Sequence, residues 1–132
     1  MIEHIRIDSR SQNEFIELTQ DLNRLVAECG VREGVCFVTV PHTTAGITVN
    51  ENDDPTVRAD MDATLSRIVP YLADYQHAEG NSAAHIKASL VGSSVTLLIR
   101  DGQLLLGRWQ GVFFCEFDGP RLRDVYVRIV GL

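Results

Sequence analysis

With 132 residues the chain has room for one domain and one core. Its 45% hydrophobic and 23% charged content is that of a soluble globular protein, and no apolar run reaches the roughly 20 residues a membrane helix needs. A net charge of -6 argues against nucleic acid as the main partner, because phosphate contacts require a basic face. Glu3 and Asp8 in the first residues do not read as a signal peptide, so the expected location is cytoplasmic.

Ile2 to Asp8 alternates, with Ile5 and Ile7 on one face, and predicts a short strand. Ser11-Gln-Asn-Glu14 fits a capping box, in which the Ser hydroxyl and the Glu carboxylate meet unpaired amides at a helix start. Phe15, Leu18, Leu22, Leu25 and Val26 follow at helical spacing, and Gly30 is a suitable stop. Gly34 to Val40 is a β-branched and aromatic run, which suits a strand covered on both faces. Cys36 lies inside that run and reads as a small hydrophobe. Three cysteines without C-x-x-C spacing give little support to disulfides or a cysteine zinc site.

After Pro41 and His42 a second strand, Ala45 to Asn50, places Ile47 and Val49 on one face and Thr48 and Asn50 on the other. Asp54 is a good helix cap with Pro55 at the favoured first position, and Val57, Met61, Leu65 and Ile68 form the stripe of that helix. Tyr71 to Gly80 reads as irregular. Asn81 or Ser82 can cap a short helix, Ala83 to Leu90, stopped by Gly92. Val95, Leu97 and Ile99 alternate into a strong hairpin signal at Asp101-Gly102. Leu104 to Leu106 begins the return, Gly107 to Glu116 continues as a strand, Asp118-Gly-Pro120 turns the chain, and Val125, Val127 and Ile129 close it. Strands, dispersed helices and hairpins together predict an α+β domain spanning 1–132 with two to three helices.

Two polar stretches carry the candidate chemistry: Pro41 to Pro55 and His77 to His85. His42, His77 and His85 are candidate metal ligands, since three neutral imidazoles with a water are a known catalytic zinc arrangement. Imidazole also suits nickel, copper or iron, and separate loop histidines bonded to nearby backbone are the competing reading. Glu51 can orient a histidine or take a proton, whereas Asp53 and Asp54 are better explained by the helix start. Glu116 shares a face with Val112 and Phe114, so it needs a positive partner, Arg121 or Arg123, or else a role at a metal-bound water or substrate. The helix start at Ser82 can hold a phosphate, with Thr43, Thr44, Lys87, Ser89 and Arg121 as further donors; for Ser89 plain solvation is the better reading. No Gly-x-Ser-x-Gly elbow points to a serine hydrolase.

His42-Thr-Thr-Ala-Gly-Ile-Thr-Val-Asn-Glu-Asn-Asp-Asp-Pro-Thr-Val-Arg58 resembles the signature of the YjbQ-like family. Gly80-Asn-Ser-Ala-Ala-His-Ile-Lys-Ala-Ser-Leu-Val-Gly92, Leu106-Gly-Arg-Trp-Gln-Gly111 and Glu116-Phe-Asp-Gly-Pro-Arg121 match in the expected order, and the resemblance covers nearly the whole chain. It implies a β-sandwich-like core, a homotrimer, and a pocket of His42, His77 and His85 able to hold a divalent metal such as zinc; magnesium is the alternative that a diphosphate-releasing reaction would favour. Asn50, Glu51 and Glu116 also occupy motif positions.

Relatives of this kind are labelled secondary thiamine-phosphate synthases, which couple a pyrimidine diphosphate to a thiazole phosphate and expel pyrophosphate. The expectation is a metal-dependent enzyme on a small phosphorylated metabolite with weak activity of that kind. His42, Glu51 and Glu116 would be catalytic, and Thr44, Asn50, Ser82, Lys87 and Arg121 would contact the anion. The rival is a non-catalytic homotrimer that binds a metal or ligand.

Overall fold

Alternation along the strands and one apolar stripe on a helix decide the layout. A computed structural model describes all 132 residues. In chain order the elements are β1 (Ile2–Asp8), β2 (Glu14–Glu17), α1 (Thr19–Cys29), β3 (Gly34–Thr39), β4 (Ala45–Glu51), α2 (Pro55–Ile68), α3 (Ser82–Val91), β5 (Ser94–Arg100), β6 (Gln103–Leu104), β7 (Gln110–Glu116) and β8 (Leu122–Gly131). A five-stranded sheet runs in the order β1-β8-β3-β5-β6, and a three-stranded sheet runs β2-β7-β4. Every pairing is antiparallel.

The inner residues of both sheets form one core. Ile7, Cys36, Val38, Leu97, Ile99, Val125 and Val127 come from the larger sheet, and Ala45, Ile47, Val112 and Phe114 from the smaller. Leu18, Leu22 and Val26 of the α1 segment complete it, as their spacing predicts. The α+β class with three helices and antiparallel sheets is therefore as expected. None of these helices is long and apolar enough to cross a membrane. Asp101 and Gly102 both have positive φ (56° and 76°), the geometry the hairpin signal requires.

Residues 14–17 depart from the sequence reading. They form β2, not the first turn of a helix, and Glu14 accepts the Arg10 amide N–H at 2.9 Å in place of closing a capping box. Phe15 and Ile16 instead pair with Cys115 and Phe114 of β7. The helix begins at Thr19, whose hydroxyl accepts the Val112 N–H at 2.9 Å. A ladder on a buried strand outweighs the local capping preference.

The second departure is β3, which is covered on one face only. Cys36 and Val38 are buried, while Phe37 is 45% exposed. Helix α2 starts as predicted: Asp54 accepts the Thr56 N–H at 2.9 Å, with Pro55 at the first position. Its stripe, however, buries no residue completely, and Ile68 is exposed.

Helix α3 lies on the outer side of the small sheet, where Ala84 and Ala88 meet Cys115 and Phe117. Small residues let it approach closely. A Cβ on Gly46 of β4 would fall 2.6 Å from the Gly92 carbonyl oxygen, which instead accepts the Ile47 N–H at 3.0 Å. This contact fixes the end of α3 beside the start of β4, where the candidate site lies.

Candidate functional site

The turn Pro41–Thr44 joins β3 to β4 and places His42 at the end of the small sheet. Here a cavity of about 400 Å³ is lined by His42, Thr43, Ala45, His85, Ala88, Ser89, Gly92 and Ser93. Residues far apart in sequence meet because β4 and α3 share the Gly46–Gly92 contact. His85 also borders a second cavity of about 410 Å³ with Tyr75, Gln76, His77, Ser82 and Ile86. The rings of His77 and His85 stand perpendicular with centroids 5.5 Å apart.

The structure thus links the three histidines through His85, but it does not assemble them as a ligand set. No three of the His, Cys, Asp and Glu side chains are gathered closely enough to hold a metal ion. Nε2 of His42 already accepts the Asp124 backbone N–H at 2.8 Å. The donor set that zinc would need from His42, His77 and His85 does not fit this arrangement within one chain. His77 and His85 alone remain adjacent, with the Glu79 carboxylate 3.8 Å from His77 Nε2.

Burial, reinforced by the positive charge of Arg123, holds the His42 imidazole below its ordinary pKa; the Asp124 and Glu116 charges oppose this without reversing it. His42 is therefore neutral at neutral pH.

Glu116 resolves as a structural residue. It is fully buried, and its oxygens receive Ser9 Oγ at 2.7 Å, Arg123 Nε at 2.8 Å, Arg123 Nη2 and the Asp118 N–H at 3.0 Å. These four donors use the acceptor capacity of the carboxylate, so it has none left for a substrate proton. Of the two candidate partners Arg123 is the one chosen, while Arg121 is half-exposed and bonds Asp118. Burial alone would raise the Glu116 carboxyl, but the hydrogen bonds of Arg123, Ser9 and the Asp118 amide, with the Arg123 charge, hold it below the ordinary value.

The remaining candidates fall elsewhere. Thr44 is buried, and its hydroxyl and carbonyl oxygens both accept from Arg123 Nη2, at 2.9 and 3.2 Å. Lys87 is buried on another side of α3, where Nζ donates to Ser66 Oγ at 3.1 Å and Asn13 Oδ1 at 3.4 Å. Its pKa is lowered by burial, with Asp62 opposing. Ser82 lines the second cavity. Asn50 and Glu51 end β4, about 20 Å along the strand from Ala45. Neither lines a histidine cavity.

Asp124, Ser93 and the cavity role of Ser89 were not legible in sequence. Asp124 lies 82 residues from His42 and acts through its backbone, which carries no residue-type signal. Cys36 and Cys115 are sealed in the interior, and burial raises their thiols to about 11 and about 12, so neither is a nucleophile.

The model of the family described as "UPF0047 protein YjbQ-like" matches residues 3–132. The chain belongs to the YjbQ-like family. Among its YjbQ-like relatives, a UPF0047 protein of Methanocaldococcus jannaschii is 48% identical over 131 residues, covering 99% of this chain and 95% of the relative. YugU of Bacillus subtilis is 42% identical over 132 residues, covering 99% and 100%. A crystal structure of a YjbQ/UPF0047 family protein from Clostridium acetobutylicum superposes with a TM-score of 0.95 at 48% identity, covering 97% and 99% of the two chains. A protein of unknown function from Sulfolobus solfataricus has the same TM-score, 0.95, at 28% identity, covering 100% and 97%.

Proposed function

We propose that the chain is an enzyme acting on a small phosphorylated metabolite in the cavity between the His42 turn and α3. The observation that carries this reading is the meeting of His42 and His85 at one cavity, beside the hydroxyls of Thr43, Ser89 and Ser93. About 400 Å³ suits a small metabolite. Imidazole N–H groups and the hydroxyls of Thr43 and Ser93 can donate to phosphate oxygens and stabilise negative charge as a phosphate departs, while the Ser89 hydroxyl donates to the His85 carbonyl at 3.1 Å.

The specific reaction proposed is coupling of a pyrimidine diphosphate to a thiazole phosphate. The thiazole nitrogen lone pair attacks the pyrimidine methylene, the C–O bond to the diphosphate breaks, and its electrons leave with pyrophosphate. His85, placed at both cavities, would meet the departing group.

Phosphorus NMR of the two substrates with the intact protein tests this. Pyrophosphate should accumulate, and His85→Ala should slow its release by roughly 100-fold. No release from this pair, or an unchanged rate in His85→Ala, contradicts the assignment. Ligand retained without turnover would favour a binding protein. Glu51 enters only if a second subunit brings it to the cavity, and an unchanged rate in Glu51→Gln removes it from the mechanism.

The homotrimer expected from the sequence motifs extends the proposal to assembly. The outer face of the five-stranded sheet exposes Phe37, Leu98, Tyr126 and Val130, an apolar surface that supports burial against another copy. Phe37→Asp with Leu98→Asp should shift the mass measured by light scattering from about three chains to one. An unchanged mass would place the interface elsewhere.

A further inference from the structure

We propose that His42 serves as an oxyanion donor and not as a metal ligand: it offers Nδ1–H to the cavity, where it receives a phosphate or carboxylate oxygen of the ligand. This rests on the reading of that cavity as the substrate site, and names the atom that meets the substrate.

The backbone fixes the tautomer. An amide N–H can only donate, so the Asp124 contact at 2.8 Å engages the lone pair of His42 Nε2. A neutral imidazole carries one ring proton, which must then sit on Nδ1. Nδ1 has no partner within the chain. It is not sealed from solvent either, because Asn81 Oδ1 is the sole buried side-chain polar atom without a partner. His42 lines the cavity, so this free donor is open to a ligand there.

A metal at His42 would require one of two changes. Binding at Nδ1 would strip the ring's only N–H proton and leave an imidazolate. Binding at Nε2 would break the Asp124 bond and orphan a backbone donor. Ligand histidines normally keep their other N–H for a carboxylate or carbonyl acceptor. His42 has the reverse arrangement, accepting on one nitrogen and donating on the other. Burial and the Arg123 charge reinforce this by keeping the ring neutral.

His85 differs. Neither of its ring nitrogens has a partner in the chain, and neither is sealed from solvent. With His77 beside it, this pair is where a metal would have to start, taking its remaining donors from outside the chain. The three motif histidines therefore divide into one oxyanion donor and one pair.

The test uses the full chain labelled with nitrogen-15 at histidine, with two-bond proton–nitrogen correlation spectra that separate the two tautomers. His42 should show a bare Nε2 and a protonated Nδ1. Added zinc should shift His77 and His85 and leave the His42 tautomer intact, while inorganic phosphate should shift the His42 Nδ1 signal. His42→Gln should weaken phosphate binding by about 10- to 100-fold. An Nε2–H tautomer at His42, or its coordination by zinc, would overturn the inference.

Phosphate shifts confined to His77 and His85 would overturn the inference while leaving an anion site in place. Failure of every phosphorylated metabolite to turn over, with the His42 tautomer and phosphate shift as expected, would remove the enzyme reading and support the donor assignment. Assignment follows from His42→Gln or, should that variant not fold, from single replacements of His4, His77 and His85.

Discussion

Arg123→Met should cost about 3–5 kcal/mol of folding stability, read from the midpoint of denaturant unfolding. Arg123 is buried against Glu116, which is sealed from water, so truncating the arginine strands a carboxylate in the interior. It also releases the hydroxyl and carbonyl of Thr44, two residues from His42. Folded domains are stable by roughly 5–15 kcal/mol, so the loss is a large share of the total. Glu116→Leu combined with Arg123→Met should be less destabilised than Arg123→Met alone, because no orphan charge remains.

Acid provides an independent check on the same pair. The folded Glu116 carboxyl is held below its ordinary value of about 4.5, so the folded state binds fewer protons than the unfolded one. Its contribution is complete above that value and is lost as pH falls through the lower folded value. The wild type should therefore weaken more steeply below about pH 4.5 than Glu116→Gln. Parallel acid profiles would contradict the ion-pair account.

Phe114→Ala should cost about 3–5 kcal/mol through lost burial and the cavity left behind. Phe114 is fully buried in the middle strand of the small sheet, between Ile16 of β2 and Ile47 of β4. It faces the larger sheet across the core and touches no histidine cavity. Denaturant unfolding should shift accordingly, while phosphate affinity of the folded fraction should stay close to wild type. A loss of affinity at unchanged stability would mean that Phe114 belongs to the site.

Much of this was legible because the signals were local. The Asp54–Pro55 helix start, the Asp101-Gly102 hairpin and the α1 core residues each follow from short-range chemistry. At residues 14–17 the capping pattern was local too, but pairing with β7 decided the outcome. Glu116 was legible as an anomaly because a carboxylate followed an apolar face. Its solution by Arg123 depended on how β8 returns past β7.

The histidines show the same limit. Residue type marked His42 and His85 as candidates, and the fold brings both to one cavity. What residue type could not show is the hydrogen bond on His42, because the donor is an amide on β8. That single bond separates a ligand from a donor.

The most direct measurement is a crystal structure of the protein with a bound phosphorylated ligand. The account predicts a phosphate between His42 and His85, with an oxygen on His42 Nδ1 and the Asp124 N–H still on Nε2. A ligand seated instead in the groove of Val57, Met61 and Leu90, or a metal coordinated directly by His42, would contradict it.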